Sequence, residues 1–493
     1  MTRQEAEAIY DAGKEAVVRV LLAMDARIHS LEQQVQNLTI RLDLSDKRVR
    51  HLEKQIAKNS RNSSKPPSSD GYKKPAPKSL RKKGQRKSGG QPGHTGHTLK
   101  TAEKPDFIKV HHVDTCECCR RSLANQKSEG AEKRQVYDLP PRRLIVTEHQ
   151  SEIKTCSCGH LNKAAFPDGV NAPVQYGKRV KAAAVYVKTY QHLPYKRACE
   201  LLADLLGCSL SEGTLANIIS QCDDLVEAPV TQIKEMIKDA SVVHFDETGS
   251  RVEGKLWWVH SASTKNATYY DIHRRRGSEA IDYIGILPDF SGRAIHDFWK
   301  PYLNYSCLHG LCNAHHLREL IFVYEQHQQD WADQMIKCLL DIKDAVGQTS
   351  KICNHFDEKQ IQAFETRYQK ALDEGYARNP LPPLPPNAKK KRGCRKKSKP
   401  RNLLERLDKH RKKALAFMYD FNVPFDNNLA ERDIRMIKIH QKISGTFRSE
   451  EGAKAFCHIR SYISTARKNT IGAMDAMTRL LGDNPFIPTF DTS

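Results

Sequence analysis

Three acidic residues and one group of cysteines carry most of the chemistry in this chain of 493 residues. Asp246 closes an apolar, β-branched run, SVVHFDET at 241–248, and Asp297 closes another, GRAIHDFW at 292–299. Glu431 falls in FDNNLAERDIRMIK, where Asp426 is placed to cap a helix and Asn427, Glu431 and Arg435 recur at i, i+4 and i+8 on one face. A single aspartate at a strand end is more often structural than catalytic. Two of them, joined by a helix-borne glutamate on a strongly basic chain, are what phosphodiester chemistry needs. Cutting or transferring a DNA phosphodiester builds negative charge around pentacovalent phosphorus, and hard divalent ions with oxygen ligands neutralise it. Two such ions roughly 3.5–4 Å apart serve the attacking and the leaving oxygen. Asp246, Asp297 and Glu431 are therefore expected to be catalytic and to hold two Mg²⁺ or Mn²⁺ ions.

The cysteines suggest a second metal. Five of the 14 lie between 116 and 158, and nine are scattered singly, which fits a metal site in a reduced cytoplasm better than a disulfide framework. Cys116-Glu-Cys118-Cys119 is followed after 36 residues by Cys156-Ser-Cys158-Gly159. Two close pairs flanking a strand-like stretch resemble a zinc ribbon, with one structural Zn²⁺ on Cys116, Cys119, Cys156 and Cys158. Cys118 is spare, and His111, His112 and His160 are alternates. The competing reading is reduced cysteines without metal. A third group, Cys307, His309, Cys312 and His315, has zinc-like spacing too, but a structural cysteine–histidine packing pair at Cys312 and His315 is the simpler reading.

Further elements must position these residues. SVVHFDET, KLWWVHSAS and NATYYDIH are three strand-like runs, followed by a helix (SEAIDYIGIL), the strand GRAIHDFW, and a strand passing into a helix in YSCLHGLCNAHHLREL. Order βββαβ with further α/β elements is that of a ribonuclease-H-like sheet, in which the strands of Asp246 and Asp297 are neighbours. The 133 residues between Asp297 and Glu431 exceed such a core, so 326–401 is expected to be a mostly helical insertion. It ends in a basic Pro-rich loop, with nine basic residues among the 13 of 389–401. Lys389, Lys390, Lys391 and Arg392 there would touch DNA phosphates, or simply be solvated. Arg406, Lys409, His410, Arg411, Lys412 and Lys413 would form a phosphate-binding face. Upstream, a helix over 195–206, a short turn and a helix capped by Ser211 are helix-turn-helix-like, offering Thr214, Asn217 and Gln221 to bases, although plain structural helices are the common alternative.

The first part of the chain is simpler. Ile28, Leu31, Val35, Leu38, Leu42, Ser45, Val49, Leu52 and Ile56 keep a 3-4 spacing, a coiled-coil seam for a homodimer or higher oligomer unless the helix packs on its own body. Residues 71–102 hold nine basic side chains and no acid, a disordered arm or linker. The whole divides into a coiled coil (1–58), basic linker (59–104), zinc module (105–170), helix-turn-helix-like helices (171–239), first core segment (240–325), insertion (326–401), second core segment (402–482) and tail (483–493): a multidomain α+β protein. Net charge is +22, from 80 basic and 58 acidic residues, which points to a polyanionic partner. No apolar run approaches the roughly 18 residues of a membrane span, and no signal peptide is evident in MTRQEAEAIY, so the expected place is the cytoplasm.

Several strings together resemble the transposases of the insertion-sequence-66 family, bacterial enzymes of the DDE class. They are SSKPPSSD (63–70), the cysteine cluster, HLPYKRACELL (192–202), HFDETGSRVEGKLWWVH (244–260), LCNAHHLREL (311–320), DNNLAERDIR (426–435) and GTFRSEEGAKAFCHIRSYISTARKNTI (445–471). The resemblance implies Asp246, Asp297 and Glu431 as the acid triad, and Cys312 and His315 as the family's Cys-x-x-His element, with Asn427 and Asn428 accessory. It implies binding to terminal inverted repeats and target DNA, metal-dependent cleavage and strand transfer, with other element-encoded proteins as further partners. Asp297-Phe298-Trp299 departs from the Asp-Gly-Tyr of many members. A catalytically inactive DNA-binding regulator, a nuclease that cuts without joining, and a coiled-coil architectural protein are the alternatives.

Overall fold

The computed structural model describes residues 2–63, 99–139, 144–381 and 397–489. Much of the basic arm and Lys389, Lys390, Lys391 and Arg392 lie outside these residues.

Two helices open the chain, α1 (Arg3–Asp11) and α2 (Lys14–Ile56). Among the described residues nothing covers the apolar seam of α2: its large residues from Ile28 to Ile56 are 41–83% exposed. Packing of this seam on the body is therefore excluded within the described structure. Only the end of the helix meets the body, where Lys58 lies 5.4 Å over the Phe322 ring and Arg61 pairs with Glu325.

Next come two tight hairpins, each carrying a cysteine pair. A bridge between Thr115 and Ser122 closes the first. Strands β1 (Ile153–Thr155) and β2 (Leu161–Lys163) form the second, closed by the Cys156 N–H on His160 O at 2.8 Å. No described side chain in 99–170 is buried.

The body begins with α3 (Lys178–Val185), a π-helical turn (Tyr186–Tyr190), α4 (Tyr195–Leu206) and α5 (Glu212–Lys238). Gly207 ends α4 in the left-handed region, φ 66°, which glycine adopts at little cost. Ser211 caps α5 by accepting the Thr214 N–H, as its sequence predicts. The apolar face of α5, from Leu215 to Ile237, is buried over six turns.

A five-stranded mixed sheet follows: β3 (Val242–Val252), β4 (Lys255–Ser263), β5 (Thr268–His273), β6 (Arg293–His296) and β7 (Leu308–Leu311), in spatial order β5-β4-β3-β6-β7. The first three form an antiparallel meander; β6 runs parallel to β3, and β7 to β6. Helix α6 (Ser278–Ile284) makes the crossover from β5 to β6. Gly310 lets β7 lie against β6, since a Cβ there would stand 2.5 Å from the Ile295 side chain.

Helices α7 (Asn313–His327), α8 (Asp330–Thr349), α9 (Glu358–Arg378), α10 (Lys399–Lys409), α11 (Arg411–Ala414) and α12 (Ala416–Tyr419) form a second core around Trp331, Tyr368 and Leu404. The chain then returns to the sheet with α13 (Asn428–Ser444), α14 (Glu450–Lys468) and α15 (Ala473–Leu480). Helix α13 lies on β3 and β4, and α14 on β5 and α5. None of the described helices is long and apolar enough to cross a membrane.

Several histidines are buried and neutral. Burial lowers His192 and His260 to about 4, and His316 and His440 to about 3. Unfolded, each protonates near 6.5, so below that pH the unfolded chain takes up protons that the fold refuses. Stability should be full above pH 6.5 and fall steadily between 6.5 and 4, by up to about 1.4 kcal/mol per pH unit for each histidine. Urea unfolding at pH 7.5, 6 and 5 checks this; a flat midpoint would contradict it.

Candidate active site

Asp246 lies near the middle of β3 and Asp297 directly after β6, on neighbouring parallel strands. Helix α13 is pinned to β3 at both ends. At its start, the Asn427 amide donates to Phe245 O at 2.8 Å and its oxygen meets His244 Nδ1 at 2.8 Å. At its far end, Phe447 exchanges backbone bonds with Arg251 O and Glu253 N–H, both at 2.9 Å. Between these anchors Glu431 sits in the first turn, on the Asn427 face that the i, i+4 spacing predicts. Asp426 accepts the Asn428 N–H at 3.1 Å, but Asn427 is the capping position.

Asp246 senses the acids around it. Asp246 is raised well above the usual carboxylate range, first by burial, then by the charges of Glu247, Asp297 and Glu431. Its Oδ1 accepts the Glu247 N–H at 2.9 Å. Asp297 Oδ1 accepts the Trp299 N–H at 2.9 Å, which fixes its carboxylate over the turn. Oε1 of Glu431 is buried and makes no hydrogen bond. A half-buried group in which acids oppose the charge of Asp246 fits hard divalent ions, and its all-oxygen donor set suits them. The three do not meet within 4.8 Å, but two ions bridging the group would span more than that.

One acid was not singled out from the sequence: Glu247, next to Asp246. Glu247 points to the other side of β3, as period two requires, and is buried. Arg276 donates to its Oε1 from Nε (2.9 Å) and Nη2 (2.6 Å), and the Tyr302 hydroxyl donates to Oε2. The Arg276 guanidinium lies 4.2 Å from the Trp299 ring and 4.8 Å from that of Trp258. Phe298 and Trp299, where the string departs from the family's usual residues, are thus built into the packing: Phe298 meets His410 and Arg406, and Trp299 holds Arg276. Adjacency to Asp246 was the available clue.

Other expected sites fare variously. Asn217 and Gln221 are exposed on α5 and Thr214 is half-buried; Gln221 accepts from Lys181 at 3.1 Å. Arg435 is exposed one turn beyond Glu431, and Asn428 is exposed at the helix start. Cys116, Cys119, Cys156 and Cys158 are not gathered: no three of these thiols lie within 4.8 Å. Each pair sits at its own hairpin tip, and among the described residues of 99–170 no apolar side chain is buried between them to draw the tips together. The basic face on α10–α11 is also corrected. Arg406 pairs with Glu319 at 2.6 Å and Arg411 with Asp408 at 3.1 Å, leaving Lys409 and Lys412 exposed. His309 is occupied by His296 (3.1 Å) and Tyr305 O (3.1 Å), which separates it from Cys312 and His315.

With this geometry in hand, comparison with known families is decisive. A profile described as transposase IS66 family matches residues 173–455, more than half the chain and all three acids. The chain belongs to the IS66 transposase family. Residues 19–100 match a family of unknown function (DUF6444). No curated protein matches.

Replacing Asp246 by Asn removes a charge that burial and three acids oppose. The metal-free variant should be more stable than the parent by about 1 kcal/mol or more at pH 7.5. It should also lose the stabilisation that millimolar Mg²⁺ gives the parent. Thermal unfolding with and without Mg²⁺ checks both; an unchanged Mg²⁺ response would contradict the assignment.

Proposed function

We propose that this family member is an active DNA transposase that cuts at the ends of its own element and joins the freed ends to target DNA. The observation that carries the reading is the half-buried group of Asp246 on β3, Asp297 after β6 and Glu431 on α13, in which the charges of Asp297 and Glu431 oppose that of Asp246. The strand order is that of a ribonuclease-H-like sheet, whose neighbouring central strands present two acids to a helix-borne third. Bound between these carboxylates, a pair of Mg²⁺ or Mn²⁺ ions would supply charge neutralisation at phosphorus and at the attacking and leaving oxygens.

The chain's own residues do the rest. Asp246 and Asp297 set the carboxylates on adjacent strands. Asn427 fixes the start of α13 so that Glu431 faces them. Glu247, paired with Arg276 and Tyr302, secures β3 from behind. No serine or tyrosine nucleophile is required; a strand's 3′-hydroxyl, freed by hydrolysis, attacks the target phosphodiester.

DNA would be met by several surfaces. Asn217 and Gln221, exposed on α5 with Thr214 beside them, would face bases of the terminal inverted repeats. Arg435 and the basic segment with Lys389, Lys390, Lys391 and Arg392 would contact phosphates. The two cysteine hairpins would close around one Zn²⁺ held by Cys116, Cys119, Cys156 and Cys158, the ion replacing a missing apolar core. The bare seam of α2 fits a second copy of the chain, so that two active sites serve two element ends. The working place would be the bacterial cytoplasm.

The test is a strand-transfer assay with full-length protein, labelled element ends, a target plasmid and Mg²⁺. Joined products should appear, and Asp297→Asn and Glu431→Gln should each lower their rate by more than about 10²-fold, the loss of several kcal/mol of transition-state stabilisation. Joining that survives both substitutions would refute the triad.

A further inference from the structure

The Cys-x-x-His string at the start of α7 lies against the catalytic helix. Ligand-capable atoms of Cys312, His315 and Glu431 lie within 4.8 Å of one another, the one such group of three found among the described residues. His315 Nδ1 stands 3.8 Å from Glu431 Oε1. Both atoms are buried and neither has a hydrogen-bond partner. A buried polar atom without a partner is costly, and a ligand shared between them would relieve both.

The third atom completes a recognisable donor set. Cys312 Sγ is buried and accepts the Asn427 backbone N–H at 3.2 Å; burial pushes its thiol up to about 12, so a metal must displace its proton on binding. His315 N–H closes the turn on Cys312 O at 3.2 Å, so two ligands ride on one short arch. Bonds of about 2.0–2.3 Å at tetrahedral angles set such donors roughly 3.3–3.6 Å apart, a few tenths of an ångström from the separation seen between His315 and Glu431. Thiolate, imidazole and carboxylate together select a borderline-soft ion, whereas the three-carboxylate group selects a hard one.

We propose that Cys312, His315 and Glu431 form a binding site for Zn²⁺ that shares Glu431 with the Mg²⁺ site, so that zinc loading withholds the third carboxylate and silences the enzyme. The regulatory consequence rests on Glu431 being catalytic; the binding itself does not. On loading, the Cys312 S–H bond breaks, its proton leaves to solvent and a sulfur–zinc bond forms, with no change of oxidation state. Three protein ligands leave a fourth position for water.

The experiment uses Co²⁺ as the probe, titrated into full-length protein carrying Cys116→Ser and Cys156→Ser so that the hairpins do not contribute. A thiolate-to-cobalt charge-transfer band should rise to one equivalent and be displaced by Zn²⁺. His315→Ala, which keeps the buried thiol in place, should weaken binding about tenfold or more, and Cys312→Ser should abolish the band. In the Mg²⁺-dependent cleavage assay, His315→Ala should raise the inhibiting Zn²⁺ concentration by a similar factor. A cobalt spectrum without a thiolate band, or one that His315→Ala leaves unchanged, overturns the site. If the band is present but the parent never cleaves DNA with Mg²⁺, the zinc site stands and the transposase reading falls. If cleavage is present and the band absent, the reverse holds.

Discussion

The side chain of Asn427 is the joint on which the site depends. It is almost fully buried, and it bonds to His244 and Phe245 of β3 through its amide while its backbone N–H meets Cys312 at the start of α7. Strand β3, the start of α7 and helix α13 are thereby fixed to one residue. A buried amide is useful for this because it must satisfy a donor and an acceptor at once, and an unsatisfied partner costs about as much as the bond gains. The 133 residues that separate Asp297 from Glu431 can then add β7 to the sheet and build the helical second core, which packs on Ile295 of β6, without loosening the relation between the acids.

Electrostatics divides β3 into two sides. Behind it, Glu247 is paired with a guanidinium held between two tryptophans and with the Tyr302 hydroxyl. In front, Asp246 meets only further acids, and its protonation is favoured accordingly. The pairing of Glu247 is partial: burial and Asp297 still raise it, and its charge is the first of those opposing Asp246, so the acids together favour a cation at Asp246.

Much of this was legible in the sequence for local reasons. Runs such as KLWWVHSAS and NATYYDIH alternate and end at turn residues, and they form β4 and β5. Ser211 announced the start of α5, and the i, i+4 spacing put Asn427 and Glu431 on one face. What failed depended on partners far away in the chain. Arg406 looked free because Glu319, 87 positions away in the chain, is placed beside it only by packing. Glu247 looked like a bystander because Arg276 lies across the sheet meander. The cysteine pairs were recognisable as local turns, yet the chain alone does not bring them together.

The central claim, that Asp246, Asp297 and Glu431 jointly hold divalent ions, is tested most directly by electron paramagnetic resonance of Mn²⁺ bound to the full-length protein on a DNA end. The account predicts two Mn²⁺ ions per engaged site, close enough to couple magnetically at about 3.5–4 Å, with the coupled signal lost in both Asp246→Asn and Glu431→Gln. An unchanged Mn²⁺ stoichiometry and spectrum in those two variants would contradict it.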